Sequence, residues 1–151
     1  MAKFRIDEID DGVLEGYIMI GDTEIEANLD LENDKAKNEE DFKQLIIQVE
    51  QFADYFTAEK QFDLKRAMSK EIVDEAFQQD ENKPTEEDYL LLQNDLKLFD
   101  IYVYDGGFVL TFSAENNFPG CDIIAQINKD GTIENVAVYD SDEFDDEFDK
   151  E

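Results

Sequence analysis

Residues 118–138 read FPGCDIIAQINKDGTIENVAV, and the N-K-D-G-T-I at their centre fits two architectures that cannot both hold. As the middle of a calcium loop it would lie between helices; as a turn it would join two strands. In a loop of EF-hand type, Asn128, Asp130, Gly131 and Ile133 take the third, fifth, sixth and eighth places, all chemically suitable. The first place needs an oxygen ligand and the twelfth a bidentate carboxylate, and here those places fall to Gln126 and Ala137. The flanks CDIIAQI and TIENVAVY are rich in β-branched residues and alternate weakly, which suits strands rather than helices. The segment is therefore expected to be a hairpin with a four-residue N-K-D-G turn, Gly131 supplying a positive φ.

Working outward from this hairpin, the preceding LFDIYVY and FVLTFSA form a second one around Asp105-Gly106-Gly107, with Phe108, Leu110 and Phe112 on one face. Near the N-terminus, GVLEGYIMIGDTEIEANLDL shows the same period of two. Ile25, Ala27, Leu29 and Leu31 alternate with Glu24, Glu26, Asn28 and Asp30, so one side enters a core and the other faces water. Gly21 and Asp22 supply the turn, and a shorter strand around Phe4 and Ile6 precedes the pair.

Between these strand groups the period changes. Phe42, Leu45, Ile46, Val49, Phe52, Ala53 and Phe56 form a helical stripe beginning after Asn38, a residue suited to capping, with Glu39, Glu40 and Asp41 at the positive end of the dipole. Leu64, Met68, Ile72 and Ala76 mark a second helix. Thr85 followed by Asp88 resembles a capping box and starts a third, ending near Leu96. Strand runs segregated from a helical block predict an α+β fold: an antiparallel sheet, made of an N-terminal hairpin plus a C-terminal four-strand meander, with about three helices packed on one face. Residues 1–139 are expected to form this single domain and 140–151 an acidic, flexible C-terminal tail.

A chain of 151 residues can bury a core without disulfides or metal. Cys121 is the one cysteine, so no disulfide forms within the chain and no Cys cluster can hold zinc; this suits a reducing cytosol, and a cytoplasmic location is expected. No window approaches a membrane span. The absence of histidine removes Ser-His-Asp and Cys-His sites and the usual general base near neutrality. Walker-type and dinucleotide glycine patterns are missing as well, and Asp122 beside Cys121 disfavours a thiolate. No catalytic residue, cofactor or selective metal site is expected.

Charge is the dominant feature, with 41 Asp plus Glu against 13 Lys plus Arg and a net −28. Such a field repels nucleic acid and anionic membranes and attracts basic proteins over roughly a Debye length, ~8 Å in physiological salt. It also serves solubility. Candidate contacts for a basic partner are the acidic strand faces, Glu24, Glu26, Asp30 and Asp100, with Tyr102 and Tyr104 because tyrosine beside carboxylate suits Arg or Lys side chains. In the tail, Asp142, Glu143, Phe144, Asp145, Asp146 and Phe148 intersperse acids with aromatics, a composition that can dock into a basic, partly apolar groove.

YDGGFVLTF and FPGCDIIAQINKDGTIENVAV, together with the acidic end, resemble small acidic bacterial proteins of uncharacterised families, some similar in style to immunity proteins of polymorphic-toxin systems. The resemblance covers residues 98–139 and rests on a strand-turn-strand pattern. It implies a non-enzymatic protein that neutralises a partner by presenting carboxylates to a basic surface, and it assigns no site residue by motif. The leading expectation is thus an acidic binding protein for a basic protein partner, of the immunity-protein or antitoxin kind. The alternatives are a DNA mimic, whose carboxylates would be spaced like phosphates, and a carboxylate-metal hydrolase, which would need a tight divalent-ion site.

Overall fold

The computed structural model describes residues 3–10, 12–32, 38–78 and 81–140, with backbone only at Asp140. Strands β1 (Arg5–Asp10), β2 (Val13–Ile20) and β3 (Thr23–Asp30) are followed by a 3-10 turn (Glu39–Phe42) and helices α1 (Lys43–Tyr55), α2 (Ala58–Ala76) and α3 (Glu86–Asp95). Strands β4 (Lys97–Tyr104), β5 (Gly107–Ser113), β6 (Cys121–Asn128) and β7 (Ile133–Asp140) complete the described elements. Two of the boundaries have a reciprocal side-chain cap as their local cause. Thr85 accepts from the Asp88 amide at 3.3 Å while the Asp88 carboxylate accepts from the Thr85 amide at 2.8 Å, a reciprocal cap that starts α3. Asn38 and Asp41 make the same exchange at the 3-10 turn, so the regular helix begins at Lys43, later than the capping residue alone suggests.

The N-K-D-G segment is a turn between β6 and β7. Asp130 accepts from the Thr132 amide at 2.9 Å and from its hydroxyl at 2.6 Å, bonds that hold the Asp130 carboxyl below its ordinary value. Gly131 has φ +90°, and a Cβ there would meet the Tyr55 hydroxyl at 3.0 Å, so both the backbone and the neighbour favour glycine.

Among the described residues the seven strands form one sheet whose order follows the chain, β1 to β7. This corrects the expected architecture. The sheet is mixed, not antiparallel: β3 runs parallel to β4, with Glu26 to Leu29 opposite Asp100 to Val103, and this pairing fuses three N-terminal strands to the last four. A separate two-strand hairpin beside a four-strand meander does not exist. The physical reason lies in the crossover. Helices α1 to α3 return the chain to the end of the sheet at which β3 began, so β4 leaves in the same direction, whereas a tight turn gives only antiparallel neighbours. Alternation within a strand reveals its two faces, but neither its direction nor its neighbour.

One face of the sheet packs on the helices. Leu14, Ile18, Leu29, Ile101, Leu110 and Ile123 lie in a single cluster with Phe42, Leu45, Val49, Phe52 and Met68 from the helical side. Phe52 stacks on Phe56 at 4.8 Å and on Phe108 at 4.4 Å between ring centroids, joining α1 to β5. Among the described residues no element covers the opposite face. No helix among them is long and apolar enough to cross a membrane.

Candidate functional site: the open face of the sheet

The open face begins with the alternation of β3, which buries Ile25, Ala27 and Leu29 and turns Glu24, Glu26, Asn28 and Asp30 outward. Register supplies their neighbours. Tyr17 of β2 stands opposite Glu26 and Glu15 opposite Asn28, while on the parallel side Asp100 is opposite Glu26 and Tyr102 opposite Asn28.

A bulge delivers Asp100 to this face. Leu98 pairs with Phe112 and Asp100 with Thr111, leaving Phe99 as an extra residue. Leu98 is buried against the helices, and strict alternation would send Asp100 to the same side. The extra residue reverses the phase, so Ile101 and Val103 go inward and Asp100, Tyr102 and Tyr104 go outward. Across β5 and β6 the face continues through Thr111, Ile124 and Asp122, with Tyr139 opposite Asp122.

Asp100 is the electrostatic centre of the arrangement. Burial, then the charges of Glu26 and Asp122, push its carboxyl up to about 6. The Asn28 side-chain amide donates to it at a long 3.5 Å, and the Asn28 side-chain oxygen Oδ1 is buried with no hydrogen-bond partner. A carboxyl that lacks a cation thus lies beside an acceptor that lacks a donor, and a positively charged donor is the chemical group that relieves both deficits. Glu15 is crowded in the same sense: burial and Glu8, its partner across β1 and β2, raise its carboxyl above the ordinary value.

Tyrosines frame the acids. The Tyr102 hydroxyl donates to Asp30, and burial followed by this bond holds the phenol above its ordinary value. The rings of Tyr102 and Tyr104 are tilted with centroids 6.2 Å apart, and Gln126 donates to the Tyr104 hydroxyl at 3.1 Å. At the β1 side the face already holds one cation of its own. The Arg5 guanidinium lies 4.8 Å from the Tyr17 ring centroid and reaches Glu24 at 2.8 Å, a combination of aromatic face and carboxylate that suits arginine.

The structure therefore brings six sequence-derived candidates, Glu24, Glu26, Asp30, Asp100, Tyr102 and Tyr104, onto one surface. The tail candidates Asp142, Glu143, Phe144, Asp145, Asp146 and Phe148 lie outside the described residues. Arg5, Tyr17, Asn28 and Asp122 belong to the same surface and were not singled out from sequence. For Asn28 the signal was present, since it alternates with the glutamates of β3; for Asp122 it was not, because its relation to Asp100 passes through two strand registers. Among the described residues, no group of three or more Cys, Asp or Glu side chains is disposed to hold a metal ion. No family model, curated protein or solved structure matches the chain.

Proposed function

We propose that this protein binds a basic protein partner on the open face of its sheet and neutralises or regulates that partner by covering its cationic surface, in the manner of an immunity protein or antitoxin. The observation that carries the reading is the unmet electrostatic demand at Asp100. Its carboxyl is partly desolvated between Glu26 and Asp122, and the Asn28 oxygen beside it has no donor. An arginine or lysine side chain entering there supplies both charge and hydrogen bonds. The intramolecular grip of Arg5 by Tyr17 and Glu24 supports the same chemistry on the same surface. The net charge of −28 adds long-range attraction that accelerates encounter without specifying the contact.

The test is differential capture from nuclease-treated lysate of the source, using the wild-type chain and a Glu26→Gln/Asp100→Asn double variant. Removing one side of a desolvated charge pair costs about 2 kcal/mol or more, roughly a 30-fold loss of affinity. A basic protein retained at high salt by the wild type and released early from the variant is the expected result. Equal retention by both proteins would remove the open face from the binding function.

A further inference from the structure

Away from the open face, α2, α3 and the strand ends next to them enclose two adjoining clefts of opposite character to the rest of the molecule. The larger, about 320 Å³, is walled by Ala58, Phe62, Gln93 and Asn94; the smaller, about 110 Å³, by Thr23 and Lys97 together with the apolar ends of β2 to β4. Gln61 and Lys65 line both. Among the described residues neither is lined by an acidic side chain, in a chain with 41 of them. The acid nearest in sequence on α3, Asp95, is committed elsewhere: it accepts from the amides of Asn116 and Asn117 at 3.0 and 2.9 Å.

The two lysines are short of counter-ions. Among the described residues neither Lys65 nor Lys97 forms an ion pair, as is true of most of the lysines, and Lys65 is the one described lysine that is not exposed. Burial pushes the Lys65 ammonium below its ordinary value, as expected for a half-buried amine without an anion beside it. Phe62 stands exposed at the rim of the larger cleft. A carboxylate-bearing segment with aromatic side chains matches this combination of amines, amide donors and an exposed ring.

The chain has such a segment, and it departs from the correct end of the sheet. Lys97, Ser113, Asp122 and Tyr139 stand in one row across β4, β5, β6 and β7. The end of β7 is therefore three strand spacings, about 14 Å, from the start of β4. Residues 141–151 hold seven acids, one lysine and two phenylalanines, and eleven residues of extended chain reach roughly 36 Å. We propose that segment 141–151 seats itself in the basic cleft of its own chain, its carboxylates on Lys65 and Lys97 and a phenylalanine against Phe62. The contact pairs the half-buried amine of Lys65 and the exposed amine of Lys97 with the most acidic stretch of the chain and withdraws that stretch from competition with the open face. It holds whether or not the open face binds a partner.

Zero-length coupling of carboxylates to amines with a water-soluble carbodiimide tests this on the full chain at low micromolar concentration. The monomer is isolated by size, digested and mapped by mass spectrometry. Amide links from Lys65 or Lys97 to residues 141–151 are expected, lost in 1 M salt, where the Debye length falls to about 3 Å, and lost in a Lys65→Gln/Lys97→Gln variant. They should persist in a Lys70→Gln control on the exposed side of α2. Absence of these links, an even spread over all lysines, or their confinement to cross-linked dimers would overturn the proposal.

Discussion

At Asp100, burial and charge act against each other. Its carboxyl titrates at about 6 in the folded chain against an ordinary 3.8, because burial and two neighbouring acids disfavour the anion. A raised folded value means that the native state holds the proton more tightly than the unfolded state. The stabilising contribution is complete below about pH 3.8 and is lost as pH rises through about 6. Asp100→Asn, which removes the charge and keeps the shape, should therefore stabilise the protein at pH 7 by about 1–2 kcal/mol once solvent screening is allowed for. Urea melts at pH 7 and near pH 4 would show that gain at the higher pH and its disappearance at the lower. A cationic side chain on this site favours the deprotonated form, so partner affinity should also weaken as pH falls from 7 to 5. The sequence disclosed Asp100 as an acid beside tyrosines; its burial between β3 and β5 and the charges of Glu26 and Asp122 depend on strand pairings that were not legible.

Among the elements, those governed by neighbouring residues were the readable ones. The Thr85–Asp88 cap, the Asp130–Gly131 turn and the apolar stripe of α1 are each set within a few positions; the first two lie where their patterns placed them, and the stripe reaches the core although the regular helix spans only Lys43–Tyr55. The bulge at Phe99 is set by long-range register, and nothing in LFDIYVY announces an extra residue. Gly16 shows a further dependence of an element on its neighbour. In the middle of β2, a Cβ at this position would sit 2.3 Å from the Arg5 carbonyl oxygen and 2.5 Å from the Phe4 ring. Gly16→Ala should force β1 away and cost about 1–3 kcal/mol, read as a lower urea midpoint with an unchanged slope. Because Arg5 rides on β1, the same substitution should loosen its contact with Tyr17 and Glu24, visible as a change in tyrosine fluorescence.

For the whole molecule, the joining of two strand groups through one parallel pair decides what the surface can do. Glu26 and Asp100 come from segments separated by three helices, and only the β3–β4 pairing puts them side by side. Neither composition nor periodicity carries that information, which is why an antiparallel sheet was the expectation and a mixed one is found. Net charge acts at the same scale. With −28 on 151 residues, self-repulsion opposes the compact state. Raising salt from about 0.02 to 0.5 M should therefore increase the melting temperature by several degrees, each 1 kcal/mol corresponding to about 2–4 °C at this size. A flat or falling response would show that the acids are already compensated.

The open face as a seat for cationic side chains is tested most directly by titrating isotope-labelled protein with an arginine-rich peptide and following backbone amide resonances at pH 7. Shifts concentrated on the outward residues of β3, β4 and β6 around Asp100, saturable and lost in Glu26→Gln/Asp100→Asn, are expected. Small shifts spread evenly over the acidic helix ends and loops, unchanged in the variant, would contradict it and reduce the charge to a general property of the surface.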